Sequence, residues 1–342
     1  IVPKKYIERV GEDAYKKAPV GAGPYKFASF TPGVELTVDA FPDYWRKAPA
    51  VKHLVMRSIP DESTRAASVK TGEVDLAYLF GGAIAQDLQR TPGIRVVAPL
   101  LYGVYWLDFL DQWDPKSPWH DRRVRQAASL AIDRNAINQA EMLGLGKPAG
   151  AFVPPEFDFA LKMEPPAFDP KRAKQLVVEA GFPNGFDAGD LTPLPPYTSL
   201  GEAVGGYLQA IGIRTQVRTM ERATFLSNWR EKKVRGLLIG ATGAAGNAAA
   251  RLEPFFTKSG IYAYGTRPEI DDLFQRQANE TDRNKREAIL HQIQKIVSDQ
   301  VLAAPIFQQA FLWGVGARVE QPAAGLIQGY PYVGPAEDLK LK

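Results

Sequence analysis

The sequence contains no cysteine. That absence removes disulfides, thiolate nucleophiles and cysteine-ligated metal centres. Histidine is almost as scarce: His53, His120 and His291 are the full complement, far apart along the chain. None forms His-Glu-x-x-His or has a second histidine at helical spacing, so each is expected to fill a structural or solvent role, and no metal site is expected. Long apolar runs are missing too. Stretches such as Leu237–Ala241 fall far short of the roughly 20 residues a membrane-spanning helix needs. Charge of one sign is not in excess: 42 Lys and Arg face 38 Asp and Glu, a formal net charge of +4. The charges interleave without a basic tract, so nucleic acid is not an expected partner. Residues 1–10 carry three basic side chains and no apolar signal-peptide core, and residue 1 is expected to lie inside a longer precursor.

Catalytic signatures are absent as well. There is no G-x-S-x-G nucleophile elbow and no G-x-x-x-x-G-K-[ST] phosphate loop. Gly144-Leu145-Gly146 departs from the dinucleotide pattern because the next glycine is Gly150, and the segment follows a helical stretch instead of a strand. Carboxylates are plentiful, so a glycosidase-type pair stays open. Nothing positive points to catalysis, and the chain is read as a non-enzyme without a cofactor.

What is present is an ordinary globular balance over 342 residues, 45% hydrophobic and 23% charged. One core is not expected to serve that length, so two lobes are anticipated. Residues 25–30 and 34–38 alternate around Thr31-Pro32-Gly33 and predict a hairpin, with a third strand over 53–59. Asp61 is placed to cap a helix closed by Gly72, followed by a strand over 74–78. Asp121 and Asp169-Pro170 start further helices, with buried stripes Val124, Ala127, Ala128, Ala131 and Ala173, Leu176, Val177, Ala180. Residues 213–219 and 236–240 predict strands, 281–300 a long amphipathic helix, and 304–315 a strand carrying aromatic residues. The Pro-rich segments 153–155 and 192–196 are expected to be loops.

Ordered sequence blocks then carry a family likeness. Gly21-Ala22-Gly23-Pro24-Tyr25-Lys26-Phe27 resembles the G-T-G-P-Y-x-F signature of bacterial extracellular solute-binding proteins of family 5, the oligopeptide-, dipeptide- and nickel-binding class of ABC transporter periplasmic proteins. Phe41-Pro42-Asp43-Tyr44-Trp45 is similar to the family's N-P-x-Y-W, and residues 68–75 to its L-x-x-G-E-v-D. Asp121-Arg122-Arg123-Val124-Arg125-Gln126-Ala127 with Ala131-Ile132-Asp133-Arg134 resembles d-v-R-V-R-q-A and a-i-D-R, and residues 264–273 resemble Y-x-n-P-e-v-D-x-L. Read structurally, Gly23-Pro24 is a turn entering a strand, Tyr44-Trp45 is expected in the core, and Asp133-Arg134 caps a helix. The family's usual stretch upstream of G-T-G-P-Y is not seen here.

The resemblance implies an α/β fold of the two-lobe periplasmic binding protein type (type II, cluster C), with mixed sheets, two hinge-crossing strands and ligand enclosed on hinge closure. Lobe I is placed at residues 1–105, lobe II at 106–307, and the return to lobe I at 308–342, with crossings near 104–110 and 306–314. It implies a periplasmic, monomeric receptor for a small-molecule ligand, a peptide-like or other organic solute, working with the membrane permease of an ABC importer. Competing readings are a carboxylate-based hydrolase in the same cleft and a ligand-presenting chemosensory receptor. Nickel or haem binding, known in some relatives, has no histidine cluster behind it.

Ligand-facing aromatics of the family fall on the first crossing, where this chain has Tyr102, Tyr105 and Trp106. Successive strand side chains point opposite ways, so Tyr105 and Trp106 cannot both face ligand in regular geometry. Phe307 and Gln309, with Phe311 and Trp313, are the corresponding candidates on the return. Peptide-binding members resemble G-W-x-x-D-Y in the loop that here spans 240–251, where the aspartate pairs with the peptide ammonium. This chain has Ala241 and Ala244 at the tryptophan and aspartate positions, and Leu110 where an asparagine often ends the crossing. Ordinary free-amine peptides therefore fit poorly. Thr242, Asn247 and Arg251 are the ligand-binding candidates of that loop, Asn247 and Arg251 as hydrogen-bond donors or partners of a carboxylate.

Overall fold

In the computed structural model, which describes residues 2–241, 243, 246–327, 329–330 and 334–342, two short helices, α1 (Lys4–Val10) and α2 (Glu12–Lys17), precede an antiparallel sheet. That sheet is β1 (Tyr25–Thr31), β2 (Glu35–Ala40) and β3 (His53–Arg57), paired in sequence order. The hairpin turns at Pro32 and Gly33, and Gly33 takes the positive φ of +73° that closes it. Asp61 then caps α3 (Glu62–Thr71), accepting the Thr64 N–H at 2.7 Å. Gly72 ends it in the left-handed conformation, as anticipated from the sequence. β4 (Leu76–Tyr78), α4 (Gly82–Gln89) and β5 (Arg95–Val97) follow.

The next stretch builds a six-stranded mixed sheet. Its elements are β6 (Leu100–Phe109), α5 (Arg122–Ala131), α6 (Arg134–Met142), β7 (Lys147–Pro148), α7 (Pro170–Glu179), β8 (Phe186–Pro193) and α8 (Thr198–Ala210). Then come β9 (Ile213–Val217), α9 (Arg222–Arg230), β10 (Leu237–Ala241), α10 (Ala248–Phe256), α11 (Pro268–Asn279), α12 (Arg283–Asp299) and β11 (Ala303–Ala310). Strand order is β7-β11-β6-β10-β8-β9. β8 lies parallel to both β9 and β10, whereas β6 runs antiparallel to β10 and β11. Finally β12 (Trp313–Val315) enters between β4 and β5, and β13 (Val319–Gln321) pairs with β14 (Lys340–Leu341).

By contacts the chain divides into two units, Ile1–Pro99 with Phe311–Lys342, and Leu100–Ala310. In the second unit both faces of the sheet are covered, so β6 and β10 are almost continuously buried. On one face Trp106 packs on Phe152, Trp229 and Phe255 at ring distances of 4.7–6.1 Å. On the other, Phe109 packs on Trp119 at 5.0 Å. Two buried arginines from the sequence blocks tie helices to this sheet. Arg125 donates to the carbonyls of Trp119, His120, Gln300 and Val301. Arg134 donates to those of Pro305, Ser129 and Ile132 and to the Ser129 hydroxyl. Those blocks thus do structural work: each bond goes to a carbonyl or hydroxyl, several of them buried groups that would otherwise lack a partner.

Three expectations change. Trp45 is not core: it is 79% exposed, beside Tyr44 at 5.5 Å, on the turn between β2 and β3 whose next residues, Arg46 and Lys47, reach Glu337 and Asp338. The strand read over 304–315 is two strands in two sheets. Its ladder with β6 ends at the Ala310–Leu100 pair, and the Phe311 N–H turns to the Pro99 carbonyl at 2.9 Å before β12 begins. Thr192 and Pro193 are the end of β8, not loop, because parallel pairing with Leu238 and Ile239 holds them extended.

Candidate functional site

Strand direction gathers the site. In the second unit β8, β10 and β11 run one way and β6 the other, so the carboxyl ends of three strands meet the amino end of β6 along one sheet edge. The elements that follow β8 and β10 in sequence are the helices α8 and α10. Ligand sites of open α/β sheets form outside such carboxyl ends.

At this edge Tyr105 and Phe307 are direct cross-strand partners, stacked with centroids 5.2 Å apart. Tyr197, from the turn after β8, meets Tyr105 edge-on at 5.0 Å. The Tyr105 hydroxyl donates to Gln309 Oε1 at 2.9 Å, and Gln309 Nε2 donates to the Tyr197 hydroxyl at 3.0 Å. Tyr105, Phe307 and Gln309 are buried, while Tyr197 is only partly so and forms the outward end. Burial, and then the neighbouring Tyr197, push the Tyr105 phenol well above its ordinary value. It stays neutral, so the cluster is an aromatic floor with hydrogen-bonding tips instead of an acid–base pair. Charges of both signs stand nearby: Ser199 Oγ donates to Glu141 at 2.9 Å, and Arg222 donates to the Pro195 carbonyl.

The remaining candidates are placed as follows. Trp106 points to the opposite face and is 1% exposed within the aromatic core, as strand alternation requires of a neighbour of Tyr105. Tyr102 is partly buried near the start of β6. Asn247 is the N-cap of α10, its side chain accepting the Ala250 N–H at 3.2 Å. Arg251 is buried on the first turn of α10, donating to the Gly243 carbonyl and, at 3.5 Å, to that of Tyr102. Its guanidinium lies 5.1 Å from the Phe157 ring centre, and burial lowers its pKa to about 10. Thr242 and Ala244 lie outside the described residues. Phe311 and Trp313 belong to the first unit, where each is near Tyr78, Trp313 stacked on it at 4.7 Å. Tyr197 was not among the sequence candidates. Its Pro-Pro-Tyr context reads as a plain loop, and only the pairing of β11 with β6 sets Gln309 opposite it.

No group of three His, Asp or Glu side chains among the described residues is arranged to hold a metal ion. No helix among them is long and apolar enough to cross a membrane. His53 pairs with Asp39, His120 bonds the Gln112 carbonyl, and His291 lies on α12 beside Glu287, so none belongs to the cluster.

A family model described as bacterial extracellular solute-binding proteins, family 5 Middle, matches residues 1–263. Heme-binding protein A of Haemophilus influenzae is 27% identical over 299 residues, covering 84% of this chain and 54% of its own. Glutathione-binding protein GsiB of Pectobacterium atrosepticum is 28% identical over 297 residues, covering 82% and 57%. The chain therefore spans little more than half the length of these curated relatives. Among solved structures, the substrate-binding protein CtaP of Listeria monocytogenes superposes with TM-score 0.85 at 20% identity, over 99% of this chain and 71% of that one. The periplasmic binding protein DppA of Helicobacter pylori, in complex with the peptide STSA, gives 0.82 at 22%, over 100% and 68%. These structures share the mixed α/β fold.

Proposed function

The chain belongs to family 5 of the bacterial extracellular solute-binding proteins, and we propose on that premise that it is the substrate-binding component of an ABC importer. It captures a small peptide-like or other organic solute in the periplasm, as a monomer, hands it to a membrane permease, and catalyses nothing. The relatives' names, a heme-binding and a glutathione-binding protein, fit a receptor for medium-sized organic solutes. The observation that carries the reading is the Tyr105–Gln309–Tyr197 chain over Phe307 at the carboxyl ends of the strands. An apolar floor with a few fixed polar tips is what a binding pocket needs, whereas catalysis would call for a group poised to exchange a proton or attack.

The test is a thermal-shift screen of the purified protein against peptides, sugars, opines and aromatic acids. At least one solute raises Tm at saturating concentration, since ligand bound only to the native state stabilises it by about 2.7 kcal/mol at a hundredfold excess over Kd. Gln309→Ala weakens that solute by about tenfold, the value of roughly one well-placed polar contact. A screen in which no solute shifts Tm would sink the reading.

A further inference from the structure

Three arginines of the second unit, Arg125, Arg134 and Arg251, are each at most 5% exposed. The first two distribute their donors over carbonyls and a hydroxyl on every nitrogen of the guanidinium. Arg251 does not. Only its Nη2 is engaged, with the Gly243 and Tyr102 carbonyls, and its buried Nε has no partner. Among the described residues no carboxylate comes within ion-pair range of it. Asp158, which follows the Phe157 ring it lies against, is instead bonded to Arg283 at 3.0 Å.

The end of α10 makes no comparable demand. The Ala248 N–H donates to the Asp158 carbonyl and the Ala250 N–H to Asn247. What lacks a partner is the cation, at the same end of the sheet as the tyrosine cluster: it bonds carbonyls of the loop leaving β10 and of the amino end of β6 and lies on Phe157. A guanidinium taken from water without a counter-charge costs several kcal/mol, and hydrogen bonds to carbonyls return only part of that. The surrounding sequence supplies no acid: residues 240–250 contain no Asp or Glu. That corner thus presents an anion-binding group and, in residues 240–250, no acid to neutralise an ammonium; Glu141 stands instead beside the Tyr105 cluster, bonded by Ser199.

We infer that Arg251 is the counter-ion for a carboxylate of the transported solute, so that the ligands are organic acids, N-blocked peptides among them, and not free-amine peptides held through their ammonium. The inference rests on the solute-receptor reading above and narrows its ligand class. The planar guanidinium offers a carboxylate two parallel N–H donors, a geometry that an amide or ester does not match.

Matched probes test it: N-acetyl dipeptides with a free C-terminal carboxylate, their C-terminal amides, and short aliphatic mono- and dicarboxylates, titrated calorimetrically into the wild-type protein. Acids bind about tenfold or more tighter than their amides. Arg251→Met erases that preference while the unliganded Tm holds or rises, because an uncompensated buried charge has gone. Arg251→Lys keeps a reduced preference, since the charge remains without the fork. Equal binding of acid and amide overturns the inference and leaves the receptor reading standing; silence from every solute overturns both. An acid preference that survives in Arg251→Met, with a fall of more than about 5 °C in its unliganded Tm, makes Arg251 a structural tie and overturns the inference alone.

Discussion

The two units of this chain differ in how they spend their apolar residues. Of the largest fully buried side chains, all but Leu88 belong to Leu100–Ala310. Of the large apolar side chains left exposed, most belong to the other unit: Phe30, Val34, Trp45, Val55 and Met56 lie on or beside the β1–β3 sheet. Both units are built from capped helices and turn-bounded strands, so local signals do not separate them. Layering does. A sheet covered on both faces turns aromatic residues into a core, and a three-stranded sheet that no helix of the described residues covers leaves them to water. An aromatic residue in a sequence motif thus says nothing about burial until its sheet's neighbours are known.

The comparison is broken most readily at Trp106. Replacement by Ala opens a cavity among Phe152, Trp229 and Phe255, and the expected loss in urea unfolding is about 3–5 kcal/mol. A loss under about 1 kcal/mol would mean the second unit is no better packed than the first.

A subtler test uses a charge hidden by the same packing. Burial raises the Asp108 carboxyl from 3.8 to about 7, against hydrogen bonds from Trp106 and the Phe109 backbone and the charge of Lys232, which act to lower it. The residue as a whole keeps some surface open, so its energetic effect is smaller than full burial would give. With the folded value above the unfolded one, the native state holds the extra proton between about pH 4 and 7. Stability therefore falls as pH rises through that window and is flat above it. Asp108→Asn removes the slope and stabilises the protein at pH 8 by about 1–2 kcal/mol. The carboxylates held low by their hydrogen bonds, Asp61, Asp121 and Glu221 among them, act in the opposite sense and only as pH drops below about 4. Denaturation series at pH 5 and pH 8 decide it; an unchanged slope in the variant refutes the assignment. At the small end stands Trp45→Ser, expected to stay within about 0.5 kcal/mol of the parent. A larger loss in the same unfolding assay would show that the open sheet hides more packing than its exposure suggests.

Much of the fold could be read before any coordinates. Asp61, Asp121, Asp133 and Asp169 each accept a backbone N–H at the helix starts they were read as marking, because capping is a local bargain between one side chain and its own next turn. α8 and β8 could not be read this way. α8 carries Gly201 and Gly205, poor helix formers alone, but a side chain at Gly201 would meet Pro193, and one at Gly205 would crowd Thr215. Glycine there lets the helix lie close against β8 and β9, a tertiary reason invisible to propensity. β8 itself reads as turn-forming through Asp187, Gly189, Asp190 and Pro193, and is extended because β9 and β10 flank it. The site divides the same way. Tyr105, Phe307 and Gln309 were nameable from their strands, whereas their link through Tyr197 depends on a pairing between residues about a hundred positions apart.

The place of β12 has a consequence for the order in which the molecule can be assembled. It is the central strand of its sheet, with β4 and β5 on its two sides, yet it is made after the whole of Leu100–Ala310 has left the ribosome. β4 and β5 therefore wait, unpaired with each other, through the synthesis of an entire second unit whose own strands are all in hand by residue 310. The later-numbered unit is free to finish first, and the earlier one is completed only by residues after Ala310, so vulnerability to proteolysis or mispairing during synthesis falls on β4 and β5.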